Sequence, residues 1–373
     1  MMPKMPTWRV RLVHETNPRK YFPALFDLAE AGQIHLTGAH RYSVIKEWAR
    51  SAVKDRLPLG QRTMNALGDL AFRLRLPFVR GETVILGFAP WDFRMLLYGA
   101  LSYRNQVIYH TSWPDWRLRA TPRQAGPATA LLRWIWLKIL SGPNVRTVAV
   151  TDAVAASYEH ETGLPAKVIP HAVPEVFFQA GRDRVDATPE GGLKLIFVGE
   201  VSEKKGIPQL ITLMSSLADQ DVSLTIVGTG PMSSHLEGGR TPPGITYLGP
   251  ILDRHEMAQL MKSHDIMLLL SQRTANWEEL FGIALVEGIA AGLLVVASDH
   301  VGPRTILGPE AETIFSEDDL KGVLGLLRRC ANDRSALTRL KDGQRRAANR
   351  FHISHVRQLW LDELLSQPAG SDA

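Results

Sequence analysis

Two carboxylates stand eight positions apart in ELFGIALVE, Glu279 to Glu287, inside a run that is otherwise apolar. A buried acid must find hydrogen-bond partners or give up its charge. Were the whole stretch helical, the two would be separated by ~12 Å of rise and roughly 80° of rotation, too far apart for a contacting acid/base pair. The expected arrangement puts Glu279 on a loop and Glu287 inside the following helix, between Val286 and Gly288. Hydroxyls of a sugar or ribose suit a buried carboxylate, and backbone N–H groups of a neighbouring loop are the alternative partners.

Glycine turns supply a second kind of chemistry. Gly199 closes a strand in VGEVSEKKG, Gly228 and Gly230 close another in VGTGP, and Gly282 opens a helix. Such turns let backbone N–H groups approach a ligand, and a helix N-terminus adds roughly half a positive charge, so the three together point to a phosphate-bearing ligand. Lys204 and Lys205 follow the first turn and precede Gly206, where either a solvated loop or a diphosphate would accept them. His110 is as compatible with a satisfied core histidine as with a site residue. Asp115 and Glu15 are further candidate carboxylates. Ser316, Glu317, Asp318 and Asp319 read as a helix N-cap with acids in its first turn rather than as a metal site.

The elements that must position these residues alternate. From residue 193, short apolar runs at 193–199, 222–228, 245–249, 265–271 and 293–298 alternate with helical patterns. The first half has a looser version, with candidate strands at 8–14, 33–38, 83–88, 106–111, 146–151 and 166–172. Strands that read as continuous apolar runs are buried on both faces, which predicts α/β domains built on parallel sheets. The expected organisation is an N-terminal domain over 1–175, a polar linker over 176–192, a C-terminal domain over 193–355, and a helix with a disordered tail over 356–373.

The 373 residues, 45% of them hydrophobic, are enough for two cores. One cysteine, Cys330, excludes an internal disulfide and a cysteine-built metal site, which fits a reducing compartment. No apolar run reaches the roughly 20 residues of a membrane span and the N-terminus lacks a secretory core, so the chain is expected in the cytoplasm. Residues 1–190 carry 25 Lys and Arg against 16 Asp and Glu, while the remainder carries 18 against 22. The basic half lacks interleaved stacking aromatics, and nucleic acid is not an expected partner. The helical segment Ala128 to Gly142 sets Trp134 and Trp136 beside Arg133 and Lys138, with Arg117, Arg119 and Arg123 nearby. Its apolar residues surround the helix, which favours a buried helix. Its tryptophans with basic flanks also fit peripheral contact with the cytoplasmic face of a membrane.

The ordered elements VGEVSEKKG, LTIVGTGP, ITYLGPI, SHDIMLLLS, ELFGIALVEGIAAGLLVVAS and HVGPR, over residues 193 to 304, resemble the retaining glycosyltransferases of the GT-B fold, specifically glycosyltransferase family 4 (group 1). The first half resembles them more weakly, through VIYHT and AVTDAVAASYEHETGLPAKVIPHAV. The resemblance implies two Rossmann-like parallel-sheet domains facing a cleft. The implied activity is transfer of a sugar from a nucleotide-diphosphate sugar to a hydroxyl of a glycan, lipid-linked glycan or small molecule, with retention of configuration and with neither metal nor cofactor.

By the same resemblance, Glu287 binds the donor ribose, Glu279 binds the donor sugar, and Lys205, with Lys204 beside it, binds the diphosphate. The N–H groups of Phe281 and Gly282 complete that site, Leu280 lies between it and Glu279, and Gly199, Gly230 and Leu248 to Ile251 lie near the nucleotide. His110 is the implied contact to the transferred sugar. Two positions depart from the family: Glu200 stands where an arginine is usual, leaving Lys204 or Arg304 to supply the second cation, and HETNPRKYFP replaces the glycine-rich first loop. A catalytically weak scaffold and another nucleotide-sugar enzyme, such as an epimerase, are the alternative functions.

Overall fold

The computed structural model describes residues 8–15, 18–41, 48, 58–113, 115–117, 129–184, 191–237, 241–275 and 277–366. They form two compact units, one of Met1–Ala172 with Ser354–Ala373, the other of Val173–Ile353. Each is built on a six-stranded sheet in which every pairing is parallel.

The first unit contains β1 (Trp8–His14), β2 (Ile34–Arg41), β3 (Thr83–Gly87), β4 (Gln106–Thr111), β5 (Val145–Ala149) and β6 (Lys167–Val168), in spatial order β2-β1-β3-β4-β5-β6. All five residues of β3 are buried, as an apolar run covered on both faces requires. The surrounding core is aromatic. Trp91, Trp116, Trp136 and Tyr109 pack edge to face. Trp91 Nε1 donates to the Trp116 carbonyl at 3.2 Å, Trp136 Nε1 to that of Asp92 at 2.9 Å and Tyr109 Oη to that of Phe88 at 2.8 Å, while Trp116 Nε1 is buried without a hydrogen-bond partner among the described residues.

The second unit contains β7 (Leu193–Val198), β8 (Val222–Val227), β9 (Ile245–Gly249), β10 (Ile266–Leu269), β11 (Leu294–Ser298) and β12 (Ile314–Phe315), in order β12-β11-β10-β7-β8-β9. Numbered from its own first strand this is the Rossmann order 3-2-1-4-5-6, which reverses between β7 and β10. Its core is aliphatic, and β10 and β11 are buried throughout.

The boundaries differ from those expected. The division falls after Ala172, and the start of the supposed linker is the helix Glu175–Arg182, with Phe177, Phe178 and Ala180 buried in the second unit's core. Its apolar residues face the helices Arg254–Lys262 and Ile283–Ala290, a packing hidden in sequence by the polar stretch after it. Residues 185–190 of that stretch lie outside the described residues. The helix Ile353–Leu365 belongs to the first unit from Ser354 onward, burying Val356, Trp360 and Leu364. The tail from 367 lies outside the described residues.

Asp265, at the foot of β10, is buried and accepts from the Lys194 N–H at 3.1 Å, Arg184 at 3.0 Å and Arg334 at 3.3 Å, with Lys341 at 3.7 Å. Its removal leaves three largely buried cations uncompensated. Asp265→Ala should destabilise the second unit by about 3 kcal/mol in urea unfolding. Cys330 reports the same event. Burial pushes its thiol up to about 11, so alkylation at pH 8 should be slow in the native protein and much faster in the variant.

Candidate active site

The crevice beyond the carboxyl ends of β7 and β10 is where a sheet of this order receives ligands. The loop after β7 ends in a single turn of 3₁₀ helix, Glu203–Lys205, closed by Gly206 at φ 80°. The loop after β10 runs to Gly282, the cap of the helix Ile283–Ala290. Glu279 lies on that loop and Glu287 in that helix, as expected, and both are buried.

The two loops meet through Lys205, whose ammonium is ion-paired with the Glu279 carboxylate. Ser271 Oγ is 3.5 Å from the same carboxylate. Lys205 and Lys204 both lie over the Trp277 ring, at 4.7 and 5.1 Å from its centroid. Lys204 is held 3.2 Å from Glu200, so the residue in the arginine's place draws off one of the site's cations. Arg304, the other substitute, is exposed and ion-paired with Asp299, whose carboxyl it holds below the usual range.

Glu287 finds its partner in Arg254, in the first turn of the helix Arg254–Lys262, and that guanidinium stacks 4.7 Å from the Phe177 ring centroid. Sequence reasoning missed both Arg254 and Trp277. The signal for Arg254 was an arginine directly after Asp253, the helix cap.

The glycine turns also carry contacts between loops. The Gly199 N–H is spent on Val227 O at 3.0 Å, Gly228 on Gly249 O at 2.9 Å and Gly230 on Ser233 Oγ at 2.9 Å. A Cβ on Gly228 would stand 1.8 Å from Gly199 O, and one on Gly230 would stand 2.3 Å from Val201 O. These glycines let neighbouring loops touch backbone to backbone. Leu248 is exposed near the end of β9, and Ile251 and Leu280 are half-buried, while Phe281 and Gly282 are buried. The expected N-cap at Ser316 is instead Asp319, which accepts from the Gly322 N–H at 2.9 Å. Glu317 binds Arg273 through its side chain at 2.8 Å and its backbone N–H at 2.7 Å.

His110 lies in the first unit, at the end of β4, buried among Phe22 at 4.7 Å, His171 at 5.8 Å, and His14 and Trp360 at 6.3 Å between ring centroids. Sequence reading picked out His110 and missed this surrounding cluster. Burial, then repulsion from His171 and His14, pushes its pKa well below the ordinary histidine value. Asp115 is tied to Arg117, and the Glu15 N–H to Gly87 O at 3.2 Å. Among the described residues no group of acids, histidines or cysteines is arranged to hold a metal ion.

Two Rossmann-like units place the chain in the GT-B fold class. The Anabaena Alr3699/HepE structure, in complex with UDP and glucose, matches 96% of this chain and all of its own at a TM-score of 0.65 and 14% identity. The structure described as trehalose-6-phosphate from E. coli bound with UDP-2-fluoro glucose matches 95% of this chain and 98% of its own at 0.65 and 13% identity. Residues 182–346 match the family model of glycosyl transferases group 1, and this part of the chain is similar to the domains of that family. The phosphatidyl-myo-inositol mannosyltransferase of Mycobacterium tuberculosis is 34% identical over 168 residues, 44% of this chain and 43% of that protein. The 2-deoxystreptamine glucosyltransferase of Streptomyces kanamyceticus is 27% identical over 255 residues, 62% of each. The chain thus spans less than two thirds of the length of each of these relatives.

Histidine burial sets a pH dependence. His110 in the first unit, and His264 and His300 in the second, all titrate below the ordinary value of 6.5, chiefly through burial. The unfolded chain binds protons at these positions at a higher pH than the native one does. Stability should therefore be complete above about pH 6.5 and fall on acidification, by up to about 1.4 kcal/mol per pH unit for each histidine. Urea melts at pH 7.5 and 5.5 measure it, and His110→Phe should lessen the fall.

Proposed function

We propose that the chain transfers a sugar from a nucleotide-diphosphate sugar to a hydroxyl acceptor with retention of anomeric configuration. The observation that carries this reading is the Lys205–Glu279 pair at the β7/β10 reversal, with Glu287 one helix turn and a half further into the same segment. Bond breakage at the anomeric carbon builds negative charge on the leaving diphosphate. Lys205, drawn from Glu279 onto that diphosphate, and the backbone N–H groups of Phe281 and Gly282 stabilise it electrostatically. In this reading no metal is needed for that charge. Glu279 takes hydroxyls of the donor sugar and Glu287, oriented by Arg254, takes the ribose. Gly199, Gly230, Leu248 and Ile251 line the nucleotide side, and His110 meets the transferred sugar as a neutral imidazole.

Relatives named as mannosyl- and glucosyltransferases support the class, and UDP complexes of the same fold support the donor. A thermal-shift screen against UDP-, GDP- and ADP-sugars should give a stabilising donor, and Glu287→Ala should abolish that shift. An unchanged shift in the variant would reject the ribose assignment. Retention is checked by NMR coupling constants of the product, and an inverted anomer rejects it. The Glu200–Lys204 pair favours one second reading, a catalytically weak scaffold. Slow release of nucleoside diphosphate from donor without acceptor would decide against that alternative.

We propose peripheral membrane contact through a helix of the first unit other than the tryptophan-bearing one. In Thr129–Leu140, Trp136 is fully buried and only Leu131 and Trp134 among its exposed large apolar residues face outward. Arg119 and Arg123 lie outside the described residues. The helix Leu59–Arg75 turns Leu59, Met64, Leu67, Leu70 and Leu74 to solvent, with Phe78 beyond it. Its lone acid, Asp69, is buried against His40, while Arg62, Arg73 and Arg75 remain beside the apolar face. Apolar residues with arginine flanks fit an anionic bilayer surface. No described helix is long and apolar enough to cross a membrane. Flotation with anionic liposomes should carry the protein upward and fail for a Leu67→Ser, Leu70→Ser, Leu74→Ser variant; no flotation of the native protein removes the proposal.

A further inference from the structure

The loop that carries Glu279 is fastened by a residue to which the chemistry above gives no role. Glu279 donates its backbone N–H to Nδ1 of His300 at 3.1 Å, and its carbonyl accepts the Gly302 N–H at 3.0 Å. The second ring nitrogen of His300, Nε2, lies 2.9 Å from Ser271 O. Ser271 stands just past the end of β10, after Leu270, and Glu279 stands at the other end of the loop, ahead of Leu280, Phe281 and the helix cap Gly282. One fully buried imidazole therefore ties the two ends of the donor loop together. The approach is close at Gly302 as well, where a Cβ would stand 2.8 Å from Phe281 N and 2.9 Å from its carbonyl.

The bonding chemistry selects one form of the ring. A backbone N–H can only donate and a carbonyl can only accept, so Nδ1 must be bare and Nε2 must carry the hydrogen. A proton on Nδ1 would face the Glu279 N–H and break the tie. Around the ring stand Glu317 Oε1 at 3.4 Å from Nε2 and Glu278 Oε1 at 4.0 Å from Nδ1. Arg273 bridges these two acids at 2.8 and 3.2 Å, Asp299 is the adjacent residue, and the Trp277 ring lies 6.3 Å away. Burial, with Arg273, lowers the ring's pKa against the opposing pull of the Ser271 bond and the two glutamates.

We propose that His300, as its neutral Nε2–H tautomer, is a positioning residue that holds the Glu279 carboxylate where the donor sugar is recognised. The inference rests on the donor-site reading above and adds sugar recognition as the step that His300 controls. Nucleoside binding should be nearly independent of it, because Glu287 is held by its own helix and by Arg254.

The experiment compares the native chain with His300→Phe, which makes neither bond, and His300→Asn, whose side-chain oxygen takes the place of Nδ1. The ligands are UDP, GDP, UDP-glucose and GDP-mannose. His300→Phe should bind the nucleoside diphosphates almost as the native chain does and bind the accepted nucleotide sugar roughly tenfold more weakly. His300→Asn should recover most of that loss. Acidification below pH 6.5 should erode the native preference for the sugar and leave that of His300→Asn flat. Equal weakening of nucleotide and nucleotide sugar overturns the proposal. ¹⁵N NMR of the histidine rings supplies a ligand-free arm: an Nδ1–H tautomer at neutral pH overturns it, and an Nε2–H tautomer supports it. Exchange of the Glu279 amide should be faster in His300→Phe than in His300→Asn, and equal rates overturn the proposal. If the native chain binds none of the four nucleotides, the donor-site reading fails, while the tautomer and amide exchange still decide whether His300 positions Glu279.

Discussion

The contact between Lys205 and Glu279 joins two loops that are 74 residues apart in sequence. It exists because β7 and β10 are neighbours, and they are neighbours because the sheet reverses its order between them. At that reversal the connections leave in opposite directions and open a crevice, so side chains from both loops can converge there. Lys204, Trp277, Ser271 and His300 are all arranged around this pair.

Charge in the site is matched before any ligand arrives. Lys205 is set against Glu279, Lys204 against Glu200 and Arg304 against Asp299, while Arg254 is set against Glu287. An anionic ligand must therefore exchange partners rather than fill a bare cationic hole. The exchange is least costly at Lys204 and Glu200, both partly in water, and most costly at the buried Glu279 and Glu287, where only a hydroxyl or another hydrogen-bond donor can replace a lost cation. That asymmetry fits a ligand carrying phosphate at one end and hydroxyls at the others.

The first unit solves its packing by different means. Its core is aromatic, and the polar atoms of Trp91, Tyr109 and Trp136 are satisfied by main-chain carbonyls. His110 is held in that unit by rings of β1, of the segment at His171 and of the C-terminal helix, which ties a chain segment beyond residue 353 to the environment of a β4 residue. The helix Leu59–Arg75 shows the reverse economy, with most of its large apolar residues left outward and its acid turned in.

Eleven of the twelve described strands were legible as apolar runs, and the miss was the two-residue β12, too short to leave a pattern. The separation of Glu279 from Glu287 was legible too, since eight helical residues would hold the two ~12 Å apart along the axis and Gly282 offers the helix a start. Glycine spacing was visible, but the contacts between backbones that Gly228 and Gly230 permit were not, because a glycine required for contact between two backbones looks in sequence like one required for contact with a phosphate. The helix Glu175–Arg182 was hidden inside a polar segment, and the pairing of Arg254 with Glu287, or of His300 with both ends of the loop that carries Glu279, had no local signature. Apolar periodicity is a local record of burial, so the sequence by itself determined the strands, the parallel α/β class and the place of each acid relative to its helix. Which charge meets which was decided by the order of strands in the sheet, because only the folded sheet brings residues 33 and 74 positions apart within reach of one hydrogen bond.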